Sequence, residues 1–327
     1  MRTRALGISV VVVMGGLLIW ACGGGDNGSG PTPTKPYNEV TLSFFEAAPL
    51  SQGLAYQLWA RPKSGTLAAA AATSAWHSLV RFNLSTLDTT MVTEEGSAIP
   101  ENTLADLPVD LADFDSVFVT IEPSPDSDTL PSTSVYLRGK IVLPTLRITS
   151  LEFPMATLQN LHDSASLFTF ATPTDGDTTD ELSGVWFMNA GGQQGLQGAD
   201  ALPAGWVYEG WAVHDGYTLS TGRFVDAVHA DSGNPYSGFL TAPHYPGEDF
   251  LRNSPYPQLT FPFHFASGDD VMITVEPSPD PDRAHAFPFV IFTAAAGTEP
   301  DVFRNFFLDA HPEAVPAAQI LFTQATD

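Results

Sequence analysis

The sequence predicts an all-β chain: two tandem antiparallel β-sandwich domains with long loops and few short helices. Three observations carry that expectation. Glycine and proline number 27 each among 327 residues, which favours frequent turns over long helices. Short apolar runs of strand length recur between turn residues, the pattern of half-buried strands. One strand-like block also occurs twice: VFVTIEPSPDSD at 117–128 matches VMITVEPSPDPD at 271–282 at eight of twelve positions, so the chain reads as a duplication.

At the N-terminus, Arg2 and Arg4 precede an uncharged stretch from Ala5 to Ala21, followed by Cys22. A short positive region before an apolar core is an export signal. Its ending, Ile19-Trp20-Ala21-Cys22, resembles a bacterial lipobox, which implies cleavage before Cys22 and a diacylglycerol on its thiol. Residues 1–21 are therefore expected to be a lipoprotein signal peptide and Cys22 the lipidation site, a plain membrane anchor being the alternative. Residues 22–36, rich in Gly, Ser, Pro and Thr, read as a flexible tether. Cys22 is the single cysteine, so an intrachain disulfide framework is excluded and stability must come from packed cores.

The two domains are expected at 37–172 and 173–327. LFTFAT at 167–172 aligns with LFTQAT at 321–326 at the same offset, 154, as the longer block. Upstream, Tyr56 and Trp59 match Tyr208 and Trp211, and Arg81-Phe82 matches Arg223-Phe224. Offset changes place insertions at 68–75 in the first copy and at 191–198 and within 226–259 in the second. Val117, Val119 and Ile121 alternate as one strand face requires, and so do Val271, Ile273 and Val275. Each Glu-Pro-Ser-Pro-Asp run then ends pairing, because proline lacks an amide donor. Further strands are expected near 40–45, 55–60, 135–143, 166–171, 184–188, 219–225, 260–265 and 287–293. Two short helices are expected, one from Leu67 through Ala72 and one over Pro300–Leu308, where Thr298 would cap and Phe303, Phe306 and Phe307 share a face.

A Tyr-x-x-Trp strand, a Gly-x-Phe strand and a Thr-hydrophobic-Glu-Pro strand, in that order, resemble the extracytoplasmic domain of the anti-sigma-K factor family. The second copy carries the pattern through Tyr208, Trp211, Gly222, Phe224 and Thr274-Val275-Glu276-Pro277. The first carries it through Tyr56, Trp59, Phe82 and Thr120-Ile121-Glu122-Pro123, with Val80 in place of the glycine. Both copies continue with Ser-Pro-Asp where the family has a Gly-Gly-Ser turn. The resemblance implies a β-sandwich outside the cytoplasm and brings no catalytic residue. Only 21 residues precede Cys22, so a cytoplasmic sigma-binding domain is not expected.

The formal net charge is −24, from 37 acidic and 13 basic side chains. That balance argues against nucleic acid or an anionic membrane surface as ligand, since either requires clustered cations. No HExxH, GxSxG, Walker A or paired-cysteine motif occurs. His214, His229, His244, His264 and His285 lack ligand spacing. Glu122 and Glu276 end equivalent strands and are read as structural acceptors, with a catalytic pair as the competing view. Calcium is a further alternative, held by Glu122 and Glu276 joined by Asp126, Asp128, Asp280 and Asp282, or by the acidic loop Asp175, Asp177, Asp180 and Glu181. Trp59, Trp186, Trp206 and Trp211 are expected in the core. The expectation is a lipid-anchored, extracytoplasmic binding or sensing module of the bacterial cell envelope. It is expected to be non-enzymatic, without catalytic residues, cofactor or metal, and to meet an envelope protein or polymer. The competing functions are a polysaccharide-active enzyme and a calcium-stiffened spacer.

Overall fold

Strands form where β-branched and aromatic residues alternate between two turn signals, and both copies of the duplicated block do so. The structure is a computed structural model and describes residues 35–65, 76–163, 165–297 and 300–324. From the first repeat come β1 (Tyr37–Phe45), β2 (Leu54–Pro62), β3 (His77–Leu84), β4 (Met91–Val92), β5 (Thr103–Leu104), β6 (Phe114–Pro123), β7 (Val135–Lys140) and β8 (Ile148–Glu152). Its last matched segment is β9 (Leu167–Phe170). The second supplies β10 (Gly184–Trp186), β11 (Trp206–His214), β12 (Tyr217–Phe224), β13 (Gly247–Asp249), β14 (Asp270–Pro277) and β15 (Val290–Ala295). It ends with β16 (Phe306–Phe307), β17 (Asp309–Ala310) and β18 (Ala317–Gln324). Among the described residues the only helical pieces are short 3-10 turns, the longest Ala156–Asp163. The fold is all-β and antiparallel, as the sequence predicts.

The duplication extends to irregularities of the backbone. Between β2 and β3 the register slips at Leu58/Trp59, and between β11 and β12 it slips at the matching Gly210/Trp211. A second pair of slips falls at Val119/Thr120 and Ile273/Thr274. Each inserts one unpaired residue and sharpens the local twist. Gly222 occupies the first of these sites in the second repeat at φ +111°, where an added Cβ would lie 2.6 Å from the Asp231 carboxyl carbon. Asp231 belongs to the inserted segment 226–259, which the first repeat lacks. Val80 therefore stands there without conflict.

The closing strands are exchanged. The first sheet runs β4-β3-β2-β6-β7-β8-β18-β1-β5, so it takes in the C-terminal strand of the second repeat. β18 pairs with β1 along one edge and with β8 along the other. Reciprocally, β9 lies in the second repeat between β10 and β16, in the order β13-β10-β9-β16, beside the sheet β12-β11-β14-β15-β17. The two near-identical LFT segments thus fill equivalent slots in each other's sheets. Everything from Lys35 onward forms one compact unit, and the boundary at 172/173 does not separate two closed sheets.

Direct packing between the repeats reinforces this. Trp206 Nε1 donates to the Val135 carbonyl at 3.0 Å, and its ring meets Tyr136, Phe153 and Phe287 within 6.1 Å. At φ +89°, Gly205 brings its backbone against Thr133, whose carbonyl oxygen an added Cβ would approach to 2.2 Å. One continuous set of buried side chains spans both repeats, from Tyr56, Leu58, Val117 and Val119 to Tyr208, Val271 and Ile273.

Two expected elements are replaced. Pro300–Leu308 is not helical: Phe306 and Phe307 pair with Phe168 and Leu167 as strand residues, and Phe303 adopts φ +53°. A free strand edge at β9 outweighs the weak helical preference of a segment rich in phenylalanine. The run 260–265 is not a strand either. Pro262 removes a donor, and Phe261, Phe263 and Phe265 instead cluster with Phe250 at ring separations of 5.3–6.1 Å. The helix expected from Leu67 to Ala72, Thr298 and the N-terminal segment with Cys22 lie outside the described residues.

Candidate functional site

The residues common to both repeats build the same relay twice. Trp59 Nε1 donates to Thr120 Oγ1 at 2.9 Å, and the Thr120 hydroxyl donates to Glu122 Oε1. In the second repeat Trp211 Nε1 donates to Thr274 Oγ1 at 2.8 Å, and Thr274 donates to Glu276 Oε1. The alternation of a strand puts Thr and Glu, two residues apart, on one face. Each Glu also accepts a backbone amide from the following loop, Ser132 N at 2.9 Å or Phe287 N at 2.8 Å. Tyr56 and Tyr208 complete the parallel, each donating to a carbonyl eight residues earlier at 2.8 Å.

Beside each relay lies an arginine. Arg223 Nε donates to Glu209 Oε2 at 2.7 Å and its Nη2 to Asp280 Oδ2, while Ser220 Oγ donates to Glu209 Oε1 at 2.6 Å. In the first repeat Arg81 Nη1 reaches Gln57 Oε1 at 2.9 Å and Asp126 Oδ2 at 3.1 Å. Arg81 Nε and Nη2 each also reach Glu94, at 3.2 Å. Glutamine thus replaces Glu209. Ligand atoms of Glu209, Glu276 and Asp280 lie within 4.8 Å of one another, a spacing a hard cation would accept, but the guanidinium already bridges two of the three carboxylates. Around Arg81 a 630 Å³ cavity remains, lined among others by Gln57, Trp59, Ser78 and Asp126.

Burial dominates the acid strengths in the second repeat. It raises Glu276 and Glu248 to about 8, and Asp249 and Asp231 to about 6. Desolvation outweighs the hydrogen bonds each accepts, which for Asp249 come from Thr174 and from Trp186 Nε1 at 2.6 Å. Because these folded values exceed the unfolded ones, the native state binds more protons between about pH 4 and pH 8. Their stabilising contribution is fully present at the acid end and is lost as pH rises through 6 and then 8. Acids held below their usual range, such as Asp88 and Asp177, are exposed and matter only in stronger acid. The melting temperature is therefore expected to fall from pH 5 to pH 9, and Glu276→Gln to flatten the upper part of that fall. A melting temperature rising steadily over this range would contradict the assignment.

The other candidate residues have ordinary partners. Asp126, Asp128 and Asp280 each accept a backbone amide two residues on, closing turns after the strands. Asp177 does the same with Thr179, Asp175 accepts from the Thr172 hydroxyl, and Glu181 accepts the Thr172 amide. His214 bonds Asp269 at 2.8 Å and stacks on Phe263; His264 meets Asp180 and His285 meets Asp282. His229 bonds Asp226 at 2.7 Å, and its ring lies 6.0 Å from that of His244. Trp59, Trp186, Trp206 and Trp211 are buried.

A second region was not anticipated. On the outer face of β2, β6 and β7, Trp59, Phe118 and Arg138 stand in one cross-strand row, and Arg61, Ser116 and Lys140 in the next. With Trp76, all of these except the buried Trp59 line an 840 Å³ groove bounded by Pro131–Thr133, Pro154 and the Pro203-Ala204 loop of the second repeat. Its sequence signal was the spacing of Arg138 and Lys140, two apart in an apolar strand, which places both on one face.

No family model matches the chain, and no curated protein or solved structure does so either.

Proposed function

We propose that this protein is a non-enzymatic, lipid-anchored binding or sensing module on the extracytoplasmic side of a bacterial membrane, similar in kind to the outer domain of anti-sigma-K factors. One observation carries the reading: the polar residues shared by both repeats are bonded to each other and to the backbone. Trp, Thr and Glu form a closed relay, with the Glu oxygen that accepts the hydroxyl also accepting a loop amide. A general acid or base needs reach to a substrate proton, whereas these carboxylates hold strand ends in place. The repeated frame then serves as a rigid carrier for faces and loops that differ between copies, where recognition residues are commonly placed.

Anchoring rests on Cys22. Cells given labelled palmitate are expected to label the wild type and leave Cys22→Ala unlabelled and released from the membrane fraction; equal labelling would remove the lipoprotein reading. Incubation of the wild type with envelope polysaccharides is expected to give no turnover. If a polymer is cleaved, and cleavage is lost in Glu122→Gln or Glu276→Gln at an unchanged melting temperature, the protein is an enzyme.

A further inference from the structure

We infer that the groove on the outer face of β2, β6 and β7 is a binding site for an acidic oligosaccharide, one carrying carboxylates on successive sugars. The inference rests on the reading of the protein as a binding module and names the ligand class.

The groove concentrates what the rest of the chain lacks. Only 13 of 327 residues are basic and three are lysine, yet Arg61, Arg138 and Lys140 share this one face. Arg138 and Lys140 are exposed and form no ion pair among the described residues. Glu152 stands opposite Arg138 in the β7–β8 ladder without forming an ion pair with it, and lies outside the groove lining. Arg61 bonds Asp115 at 2.8 Å, and its guanidinium lies 5.9 Å from the centre of the Trp76 ring. Trp76 in turn packs edge-on against Phe118 at 4.6 Å. Cations therefore border an aromatic wall, with hydroxyls of Ser116, Ser132 and Thr133 nearby.

The duplication supplies a control. At the equivalent positions of the second repeat, Trp211, Met272 and Thr293 form one row and Val213, Asp270 and Ala295 the next. None of the three cations has a counterpart. The frame thus forms without them, and their presence in the first repeat is a property of its surface.

Geometry narrows the occupant. Arg138 and Lys140 are two residues apart, about 6.6 Å along the strand, and Arg61 is two strands away from Lys140, about 9.6 Å. A single small anion does not span that pattern, whereas an oligomer with repeated carboxylates does, with arginine suited to bidentate contact. β6 and β7 are paired on both sides, so a peptide cannot add as a strand through its main chain. Recognition must come from side chains: rings for the apolar faces of sugars, cations for their carboxylates. The net negative charge of the protein does not prevent this, because repulsion beyond about 10 Å is screened at ordinary ionic strength.

The test uses the full-length protein and oligogalacturonate of about four to six sugars, longer than the roughly 6.6–9.6 Å that separate the cations. Calorimetry is expected to show binding that weakens as salt rises and drops about tenfold for the methyl-esterified, uncharged oligomer. Arg138→Gln/Lys140→Gln should give a similar loss with an unchanged melting temperature. If that variant fails to fold, carbodiimide coupling on the wild type decides: an amide between Lys140 Nζ and a sugar carboxylate, found by mass spectrometry, supports the site. Equal binding of the esterified oligomer, coupling only elsewhere, or tighter binding of poly-glutamate would overturn it. Absence of oligogalacturonate binding, with another envelope polymer bound, would overturn the site and leave the binding module standing. Cleavage of the bound oligomer would overturn the module reading and leave the site.

Discussion

Deleting residues 317–327 from the otherwise intact chain is expected to abolish the chain's cooperative melt by opening the first repeat's sheet, although the deletion falls at the far end of the second. β18 lies inside the nine-stranded sheet, and its removal leaves both β1 and β8 unpaired along their inner edges. Ala318, Ile320 and Phe322 are each almost fully buried. Ile320 and Phe322 contribute about 1.5–3 kcal/mol apiece by burial, and lost ladder bonds add about 1 kcal/mol each. The total rivals the whole stability of a typical domain, about 5–15 kcal/mol. The near-identical β9 is no substitute while it pairs with β10 and β16, so one such strand remains for two slots. Circular dichroism melts of the deleted and full-length proteins check this. An unchanged transition would mean that the exchange of closing strands contributes little.

Arg223→Ala is expected to cost about 3–5 kcal/mol, the usual consequence of stripping a buried ion pair of one partner. It would leave Glu209, Asp280 and the neighbouring Glu276 as buried acids without their cation, all three at most 7% exposed. Arg81→Ala is expected to cost less, about 1 kcal/mol, because Gln57 is neutral where Glu209 is an acid, and its two acidic partners, Glu94 and Asp126, are 35% and 15% exposed. The repeats themselves suggest the rescue. Replacing Glu209 by Gln, the residue found at the matching Gln57, should restore much of the stability lost in Arg223→Ala, a coupling that a double-mutant cycle in urea measures. The penalty should also be larger at pH 9 than at pH 5, since Glu276 titrates at about 8 and is neutral in acid. Equal costs for the two arginines would mean that the buried cluster is held by something other than Arg223.

Much of the frame was legible because it is local. Val117, Val119 and Ile121 and their matches at 271–275 declared a strand through alternation, and the Pro after each Glu declared its end. The equivalent placing of Glu122 and Glu276 at two strand ends could be read from repetition alone, although their hydroxyl donors, Thr120 and Thr274, were missed. Those threonines sit inside the matched block, so their identity in both copies was the available signal. Arg81 and Arg223 were matched as a pair, but which acids they meet depends on strands far away in sequence. Pro300–Leu308 misled because phenylalanines at helical spacing also suit a strand edge, and the neighbour that decides between them, Phe168, lies more than 130 residues earlier.

What the sequence by itself determined is the class of fold, the duplication and, through its single cysteine, the absence of intrachain disulfide staples. These follow from composition, periodicity and repetition, which each segment carries alone. Only the tertiary structure decided that the closing strands are exchanged and that Arg61, Arg138 and Lys140 line one groove. The strands Leu167–Phe170 and Ala317–Gln324 share Leu-Phe-Thr and differ in length and at Phe170 against Gln324. The shared residues do not by themselves say which sheet each strand joins. The choice belongs to the packing of the whole chain, in which Trp206, Tyr136 and Phe287 join the repeats into one core. The groove is equally non-local, because three strands must pair in register before their outward residues become a surface.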